Sequence, residues 1–582
     1  MDSVKSFKGY GKVDELEQQE FHRRTRKRII IVVVSAIVLV SVIVAVVVGT
    51  VIHKRKGSSS SEDVVPVPEL TPAASLKAVC SVTQYPSSCF SSISTLETGN
   101  TSDPEVLFKL SLQVAINELS KLVDYPATLI GKNNDTRVTE ALKVCETVLD
   151  DALDRVNDSV SSMGVGEGGK LLSASKIDDM RTWLSTSMTD QETCLDALDE
   201  LNSTLLEEVT TTMENSTEFV SNSLAIVTKI LSLLSDSGIP IHRRLLSTES
   251  GFPSWLSAGD RRLLQNTNST TVQEVTVAKD GSGDFTTIAA AVDKVPNKSK
   301  TRFVIYVKEG VYEENVVLDK SKWNVMMYGD GKDKTIVSGS KNFIDGTPTF
   351  HTATFAVAGK GFIAKDMKFI NTAGAAKHQA VAFRSGSDMS VYYNCAFDAY
   401  QDTLYAHSNR QFYRDCDITG TIDFIFGNAA VVFQNCNIQP RQPLPNQFNT
   451  ITAQGKKDPN QNTGISIQKC TLSPLDKNLT AQTYLGRPWK EYSTTVIMQS
   501  NIEAFLNPLG WKEWVSNVVP PRTIFYAEYQ NSGPGSSVDQ RVNWVGYKPS
   551  LSEDEAGKFT VESFIQGQEW LPDTSVRFDN SL

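Results

Sequence analysis

A short sequence pattern recurs at a fixed interval in the C-terminal half of the chain. Three segments are alike and begin 20 to 21 residues apart, namely Asn394-Cys395-Ala396-Phe397, Asp415-Cys416-Asp417-Ile418 and Asn435-Cys436-Asn437-Ile438. This interval is too long for one hairpin and is typical of coils of stacked parallel strands, in which each repeat contacts only its neighbours. Equivalent residues of successive coils are then expected about 4.8 Å apart.

Two aspartates keep the same interval. Asp402 and Asp423 are 21 residues apart, so we expect them at equivalent points of successive coils. Two carboxyl groups about 4.8 Å apart cannot both ionise freely, and the pKa of one of them is raised. One residue type would then supply both a proton donor and a nucleophile, which is a catalytic arrangement.

The sequence on both sides of these repeats is also typical of strands. Short β-rich runs separated by Gly, Asn and Asp lie at 303–307, 324–328, 335–337, 355–357, 367–369, 391–393 and 431–433. Residues 288–292 are predicted to form a short helix that caps an open end. The pattern favours a parallel β-helix, with an all-β sandwich as the alternative.

The length and charge of the chain indicate two different domains. A chain of 582 residues is too long for one hydrophobic core. Residues 57–264 contain 15 basic and 30 acidic residues, whereas residues 265–582 contain 31 and 32. An acidic domain followed by a nearly neutral one predicts that neither binds nucleic acid.

The acidic part has the periodicity of helices. Apolar residues recur at helical spacing between residues 74 and 234, with breaks at 125–126, 164–169 and 187–191. An up-and-down bundle of four helices is the simplest arrangement of such segments. Cys80 and Cys89 are predicted to form a disulfide in a helical hairpin, and Cys145 and Cys194 to join two helices.

The N-terminus has the features of a membrane anchor. Residues 29–52 are an apolar run that as a helix spans roughly 36 Å, enough to cross a hydrocarbon core of about 30 Å. Eight Lys or Arg residues precede the run and three follow it, which predicts a cytosolic basic tail over 1–28 and a lumenal or extracellular C-terminal part. Residues 53–73, rich in Ser and Pro, are predicted to be a linker.

Further features are typical of a secreted, processed protein. The segment Arg-Arg-Leu-Leu occurs at 243–246 and again at 261–264, so residues 236–270 are predicted to be a linker cleaved by a protease near Arg244 or Arg262. Two chance basic pairs are the alternative. Eight Asn-x-Ser/Thr glycosylation sequons favour secretion, at Asn100, Asn134, Asn157, Asn202, Asn215, Asn268, Asn297 and Asn478.

The cysteines of the repeats leave two pairings open. Cys416 and Cys436 on adjacent coils are within reach of a disulfide, and the spacing of Cys395 and Cys416 is equally suitable. We take Cys416–Cys436 as the prediction.

The sequence has no G-x-S-x-G, HExxH or CxxC motif, so it predicts neither a serine-hydrolase elbow nor a metal site, and no cofactor.

Four separated motifs resemble those of plant pectin methylesterases. They are His378-Gln379-Ala380-Val381-Ala382, Tyr400-Gln401-Asp402-Thr403-Leu404-Tyr405, Gly420-Thr421-Ile422-Asp423-Phe424-Ile425-Phe426-Gly427-Asn428 and Leu485-Gly486-Arg487-Pro488-Trp489. Residues 74–235 resemble the plant invertase and pectin methylesterase inhibitor domain. The resemblance implies a proenzyme with a right-handed parallel β-helix over 271–582, preceded by an all-α pro-domain that inhibits it.

The same resemblance implies roles for individual residues. Asp423 is the expected nucleophile on a methyl-esterified galacturonic acid, Asp402 the acid and base, and Arg487 the partner that orients Asp423. Gln379 and Gln401 are the expected oxyanion donors. Substrate contacts are expected at Thr349, Gln379, Tyr405, Phe426, Arg487 and Trp489.

The implied partners are pectin, a processing protease, inhibitor proteins and, before cleavage, a membrane through residues 29–52. The catalytic domain is expected to be a monomer in the cell wall. Two alternative functions remain. A glycosidase acting on pectin could use the same carboxyl pair, and the helical domain could make the protein chiefly an inhibitor or binding module.

Overall fold

The computed structural model describes residues 71–96, 100–163, 172–232 and 273–582. The first three ranges are helical. Their helices are α1 Pro72–Cys80, α2 Pro86–Ser94, α3 Pro104–Leu122, α4 Tyr125–Ile130, α5 Thr136–Met163, α6 Ala174–Asp199 and α7 Leu206–Ile226, which continues into a π-helical turn, Val227–Leu231. Proline at the first turn of α1 to α3 suits a position whose N–H has no helical partner.

Both predicted disulfides of the helical domain are present. Cys80–Cys89 joins α1 to α2 with a Cα–Cα distance of 5.6 Å, and Cys145–Cys194 joins α5 to α6 at 4.4 Å. The long helices α3, α5, α6 and α7 contact one another around a buried apolar core.

The predicted break at 187–191 is wrong. Helix α6 continues through it, and Ser187, Asp190 and Gln191 are all buried. This stretch is polar because it faces the second domain. Asn428 donates a hydrogen bond to Thr189, and Gln461 donates one to the carbonyl of Ser185.

Residues 273–582 form short strands with a few small helices. The strands are β1 Gln273–Val277, β2 Phe303–Val307, β3 Gly310–Glu313, β4 Val316–Leu318, β5 Val325–Gly329, β6 Thr335–Gly339, β7 Phe355–Val357, β8 Ile363–Lys365, β9 Lys368–Asn371, β10 Phe383–Ser385, β11 Ser390–Tyr393, β12 Ala396–Asp398 and β13 Leu404–Ala406. They continue as β14 Arg410–Arg414, β15 Asp417–Gly420, β16 Ile425–Gly427, β17 Ala430–Gln434, β18 Asn437–Pro440, β19 Asn449–Gln454, β20 Gly464–Gln468, β21 Thr471–Leu472, β22 Thr483–Gly486, β23 Thr494–Met498, β24 Asn501–Ile502, β25 Phe525–Tyr529 and β26 Tyr547–Lys548. The helices are α8 Ile288–Val292, α9 Glu553–Gly557, α10 Val561–Ile565 and α11 Gly567–Trp570.

These strands form a parallel β-helix, as predicted. In the described residues they make three sheets, in the orders β1-β2-β5-β8-β11-β14-β17-β20-β23-β25-β26, β22-β19-β16-β13-β10-β7-β4 and β24-β21-β18-β15-β12-β9-β6-β3. Neighbouring strands within each sheet run parallel, and successive coils keep register, for example Leu404 with Ile425. This arrangement excludes the β-sandwich, which pairs its strands antiparallel.

The repeated Asn/Asp-Cys dipeptides form one turn of each coil. Asn394, Asp415 and Asn435 have positive φ, and so does Asp366 at the same point of the preceding coil, where Met367 replaces the cysteine. The four values lie between 51° and 57°, a region that Asn and Asp tolerate better than most residues. Their side chains form a ladder along the stack. Asn394 Nδ2 donates to Asp366 Oδ1 at 2.5 Å, and Asn435 Nδ2 donates to Asp415 Oδ1 at 2.7 Å.

The predicted Cys416–Cys436 disulfide is not formed in this structure. Cys395, Cys416, Cys436 and Cys470 are stacked as buried free thiols. Their sulfur atoms have backbone partners instead, because Cys416 Sγ lies 3.4 Å from the carbonyl of Tyr392 and Cys436 Sγ lies 3.6 Å from that of Tyr413.

Several predictions fall on residues whose structure is not described. These are the basic tail over 1–28, the anchor over 29–52, most of the linker over 53–73, the break at 164–169, the processing linker over 236–270 with both Arg-Arg-Leu-Leu segments, and the sequon at Asn268. None of the helices in the described ranges is long and apolar enough to cross a membrane. The seven sequon asparagines in the described ranges are all exposed, as glycosylation requires. Glycosylation at each of them stays a prediction.

Candidate active site

The coil register brings Asp402 and Asp423 together. Each lies two residues before a strand, β13 and β16 respectively, and these strands pair in register. Both aspartates have positive φ, 63° and 51°, so each occupies the same kind of turn. The backbone N–H of Asp402 donates to the carbonyl of Ile422 at 3.0 Å. The two aspartates therefore lie at equivalent points of successive coils, as predicted.

Asp423 is held by an arginine and a threonine. Arg487 donates from Nε to Oδ1 at 2.9 Å and from Nη2 to Oδ2 at 2.6 Å. Thr450 Oγ1 donates to Oδ1 at 2.6 Å and accepts the backbone N–H of Asp423 at 2.9 Å. The carboxylate side chain is only 7% exposed, so these contacts orient it and compensate its burial.

Asp402 lies in a different environment from Asp423. It is buried, and no described group forms a hydrogen bond with its carboxyl. Burial raises its pKa well above the usual value, the negative charges of Asp423 and Glu200 add to this effect, and Arg487 opposes it. A raised pKa favours the protonated form of Asp402, which suits a proton donor.

The two aspartates open into a cavity of about 250 Å³. Its walls include most of the residues that the sequence predicts for the site, namely Thr349, Gln379, Gln401, Asp402, Tyr405, Asp423, Phe426, Arg487 and Trp489. The side-chain amides of Gln379 and Gln401 have no hydrogen-bond partner among the described residues, so their donors are free for a ligand.

Aromatic rings form one wall of the cavity. Tyr405 and Phe426 stack with ring centroids 4.2 Å apart, and Trp489 lies 6.2 Å from Phe426 and 6.3 Å from Trp514. The guanidinium of Arg487 lies 4.2 Å from the ring centre of Trp514. Flat apolar rings beside a cationic side chain are suited to sugar rings that carry carboxyl or ester groups.

Sequence reasoning missed three groups at this site. Trp514 lies in a long loop without a repeat, so no signal identified it. Thr450 follows Asp423 by 27 residues rather than 21, because a loop enters the coil between β18 and β19. The third group is the row of helical-domain residues over the cavity, which the sequence indicated only as part of an acidic helical domain.

Helix α6 closes the cavity from above. Thr193, Asp196, Ala197, Asp199 and Glu200, at its C-terminal end, line the same cavity as the aspartate pair. Glu200 accepts hydrogen bonds from the backbone N–H of Thr349 at 3.1 Å and from its Oγ1 at 2.6 Å. A carboxylate of the helical domain thus binds Thr349, which the sequence predicts to be a substrate contact.

Burial at this interface shifts the pKa values of the acids on α6. Burial raises the pKa of Glu200 to about 7, although the hydrogen bonds from Thr349 lower it. Burial also raises the pKa of Asp196 to about 6, with Lys490 opposing.

Among the described residues, no group of three or more His, Cys, Asp or Glu side chains is placed to bind a metal ion.

Residues 274–568 match the pectinesterase family model, and residues 74–226 match that of the plant invertase/pectin methylesterase inhibitor. Two curated relatives match from end to end. Pectinesterase 3 of Phaseolus vulgaris is 65% identical and covers 100% of both chains, and Pectinesterase 1 of Arabidopsis thaliana is 63% identical over 99% of each. The chain belongs to the pectinesterase family.

A solved structure supports the fold of this pectinesterase. The pectin methylesterase from carrot is 53% identical and covers 54% of this chain and 100% of its own, with a TM-score of 0.52. The resemblance stated from the four motifs and from the helical segment is therefore confirmed for both parts of the pectinesterase.

Proposed function

We propose that this pectinesterase hydrolyses the methyl esters of homogalacturonan with Asp423 as the nucleophile and Asp402 as the acid and base. One observation carries the assignment. Asp423 is bound by Arg487 through two nitrogens, whereas the neighbouring Asp402 is buried and has no cationic partner of its own among the described residues. The two carboxyl groups are thereby separated into an anion and a neutral acid.

In the first half of the reaction, an oxygen of Asp423 attacks the C6 carbonyl carbon of the ester. The carbonyl π electrons move to the oxygen and form a tetrahedral oxyanion. Gln379 and Gln401 offer free amide donors for this charge, a contribution of roughly 3 kcal/mol per donor in other enzymes. Collapse breaks the bond to the methoxy oxygen, which takes the proton of Asp402 and leaves as methanol.

The second half restores the enzyme. Asp402, now ionised, removes a proton from water, and the oxygen of that water attacks C6 of the acyl-enzyme. Collapse of the second tetrahedral intermediate breaks the bond to Asp423 and releases a free galacturonate. Asp402 is then protonated again and Asp423 is again the anion bound to Arg487. Tyr405, Phe426 and Trp489 provide the apolar wall for the sugar rings and the ester methyl, and Thr349 a polar contact.

Release of methanol without chain cleavage tests this function. Two carboxyl groups about 4.8 Å apart also suit a retaining glycosidase, which is the alternative. The free amides favour the esterase, because an oxyanion needs donors and an oxocarbenium ion does not. Residues 265–582 are expected to release methanol from esterified pectin without new reducing ends. New reducing ends would indicate a glycosidase.

We further propose that the helical domain is an inhibitory pro-domain. Helix α6 occupies the space above the aspartate pair, and Glu200 accepts a hydrogen bond from the hydroxyl of Thr349. Cleavage near Arg244 or Arg262 would separate the two domains. An uncut chain should release methanol at least tenfold more slowly than the same sample after cleavage, and equal rates would overturn the proposal. If the protein acted chiefly as a binding module, Asp423→Asn would leave its effect on cell walls intact.

The expected route is a type II membrane protein of the secretory pathway that becomes a cell-wall enzyme. The apolar run at 29–52, the exposed sequons and the two dibasic segments support it. N-terminal sequencing of protein extracted from the wall tests it. A mature N-terminus between residues 245 and 271 supports processing in the 236–270 linker, and a mature N-terminus before residue 74 contradicts it. Separate inhibitor proteins, expected to bind the monomeric released domain, would compete for the surface that α6 covers.

A further inference from the structure

Lys490 is held by two carboxylates that both belong to the helical domain. Its Nζ lies 2.6 Å from Glu192 Oε1 and 2.5 Å from Asp196 Oδ1, both on α6. The side chain is only 15% exposed, so its charge depends on these partners more than a surface lysine would. Burial lowers the pKa of Lys490, but the two carboxylates raise it, and the net shift is upward.

The β-helix itself supplies no counter-charge to this ammonium. Among the described residues of 273–582, no Asp or Glu lies within ion-pair distance of Lys490. Lys457 provides the contrast. It also reaches Glu192, at 3.5 Å, but it has a partner of its own domain in Glu491 at 3.6 Å. When the helical domain leaves, Lys490 loses both partners and Lys457 keeps one.

Lys490 lies beside the catalytic cavity. Asp196, which it binds, lines that cavity together with Asp402 and Asp423. A second depression of about 380 Å³ continues from the cavity past Trp489 and Trp514 and includes Lys490 in its wall. The ammonium also lies 5.3 Å from the ring centre of Trp489. The lysine therefore borders the path of a polymer that extends out of the catalytic cavity.

The acids of α6 form a row along this path. Glu192, Asp196 and Glu200 are spaced four residues apart, so they lie on one face of the helix, each about 6 Å from the next. One end of the row binds Lys490 and the other binds Thr349. The docked helical domain thus presents carboxylates along the cleft at intervals close to the size of a sugar unit.

We propose that, in the released enzyme, Lys490 binds the carboxylate of a de-esterified galacturonate unit next to the unit under attack. The ammonium of Lys490 then takes a substrate carboxylate in place of Glu192 and Asp196. A chain that already carries a free carboxylate is bound better than a fully esterified one. Lys490 is thereby a specificity-determining residue, and this role rests on the proposed esterase function.

The test uses the released domain, residues 265–582. This part has its own hydrophobic core, and the carrot enzyme shows that a chain of this extent folds without the helical domain. Two galacturonate oligomers of equal length are compared, one fully and one half methyl-esterified, with methanol release as the readout. Lys490→Gln is expected to lower the ratio of kcat/KM for the half-esterified oligomer to that for the fully esterified one about tenfold. It should also raise the Ki of a fully de-esterified oligomer about tenfold.

Two control variants separate charge from packing. Lys490→Arg keeps the charge and should retain the ratio within about threefold. Lys332→Gln should leave the ratio unchanged, because Lys332 is paired with Asp417 and lies outside both the cavity and the depression. The inference is overturned if Lys490→Gln lowers kcat/KM equally for both oligomers, or changes neither the ratio nor the Ki. Absence of methanol release by the unmodified domain would instead overturn the proposed function.

Discussion

Arg487 and Asp423 form a bidentate ion pair at the centre of the site, with Nη2 2.6 Å from Oδ2 and Nε 2.9 Å from Oδ1. The guanidinium fixes the carboxylate in one plane, which a lysine ammonium cannot do. Arg487→Lys is therefore expected to lower kcat for methanol release about 100-fold in the released domain, with a smaller effect on KM.

Arg541 offers a matched control for this variant. It forms the same kind of buried pair, with Nε 2.8 Å from Glu528 Oε1 and Nη2 3.1 Å from Oε2, outside the cavity. Arg541→Lys should lower the melting temperature but leave kcat of the remaining folded protein within about twofold. An equal loss of kcat in both variants would mean that the arginine at 487 has only a structural role.

Thr450 positions the nucleophile through one hydroxyl that donates to the Asp423 carboxylate and accepts the Asp423 N–H. Thr450→Val keeps the shape but removes both hydrogen bonds, and a hydrogen bond to a charged group is worth about 1.5–3 kcal/mol. We expect kcat to fall at least tenfold. Thr450→Ser, which keeps the hydroxyl, should recover most of it. If Ser and Val variants have the same kcat, the hydroxyl does not position Asp423.

The protonation of Asp402 predicts how activity changes with pH. In the released domain, which lacks Glu200, burial and the neighbouring Asp423 still raise the pKa of Asp402 while Arg487 opposes them, and the acid must be protonated to release methanol. Activity is therefore present below that raised pKa and lost as pH rises through it. The pH profile of kcat should show an alkaline limb above the ordinary carboxyl range.

A substitution of Asp402 should also change stability. Its raised pKa means that the folded state binds a proton that the unfolded state releases, so its contribution to stability is lost as pH rises. Asp402→Asn should abolish methanol release yet make the folded chain more stable at neutral pH. Thermal unfolding at two pH values, below 4 and near 7, measures this. A variant less stable at both would contradict it.

Docking of the helical domain should weaken as pH rises. Asp196 and Glu200 have raised pKa values, about 6 and about 7, so the docked state binds protons that the separated domain releases. The contribution of Asp196 to docking is then lost between about pH 4 and pH 6, and that of Glu200 between about pH 4.5 and pH 7, each by at most about tenfold per pH unit. Glu192 opposes this trend, because although burial raises its pKa, Lys490 and Lys457 lower it overall.

The activity of the uncut chain relative to the cut chain measures this dependence between pH 4 and 7.5. The ratio should rise with pH, and Glu200→Gln should flatten the rise. Glu207→Gln, at an exposed position on α7, is the control and should leave the curve unchanged. A ratio that falls with pH would show that other groups control docking.

The sequence predicted the features that repeat and missed those that do not. The interval of 20 to 21 residues identified the coils, and because register follows from the repeat, it also placed Asp402 beside Asp423. The cysteine pairing was not predictable, because Cys395 and Cys436 lie at nearly equal intervals on either side of Cys416. Local geometry decides whether the sulfur of Cys416 forms a disulfide or contacts a carbonyl.

The contacts between the domains could not be predicted either. The polar residues at 187–191 have the composition of a loop, and only the presence of Asn428 and Gln461 opposite them explains why they are buried in a helix. Likewise, an acidic helix face is expected to be exposed to solvent unless its cationic partner is known. Lys490 lies almost 300 residues away from Glu192 in the chain.

The rate of methanol release by Asp423→Asn in the released domain tests the central assignment most directly. An amide cannot attack the ester carbon, and it cannot accept both Arg487 hydrogen bonds. We predict a rate below about one thousandth of that of the unmodified domain, with an unchanged circular dichroism spectrum. A correctly folded Asp423→Asn variant that retains a tenth or more of the rate would contradict the account.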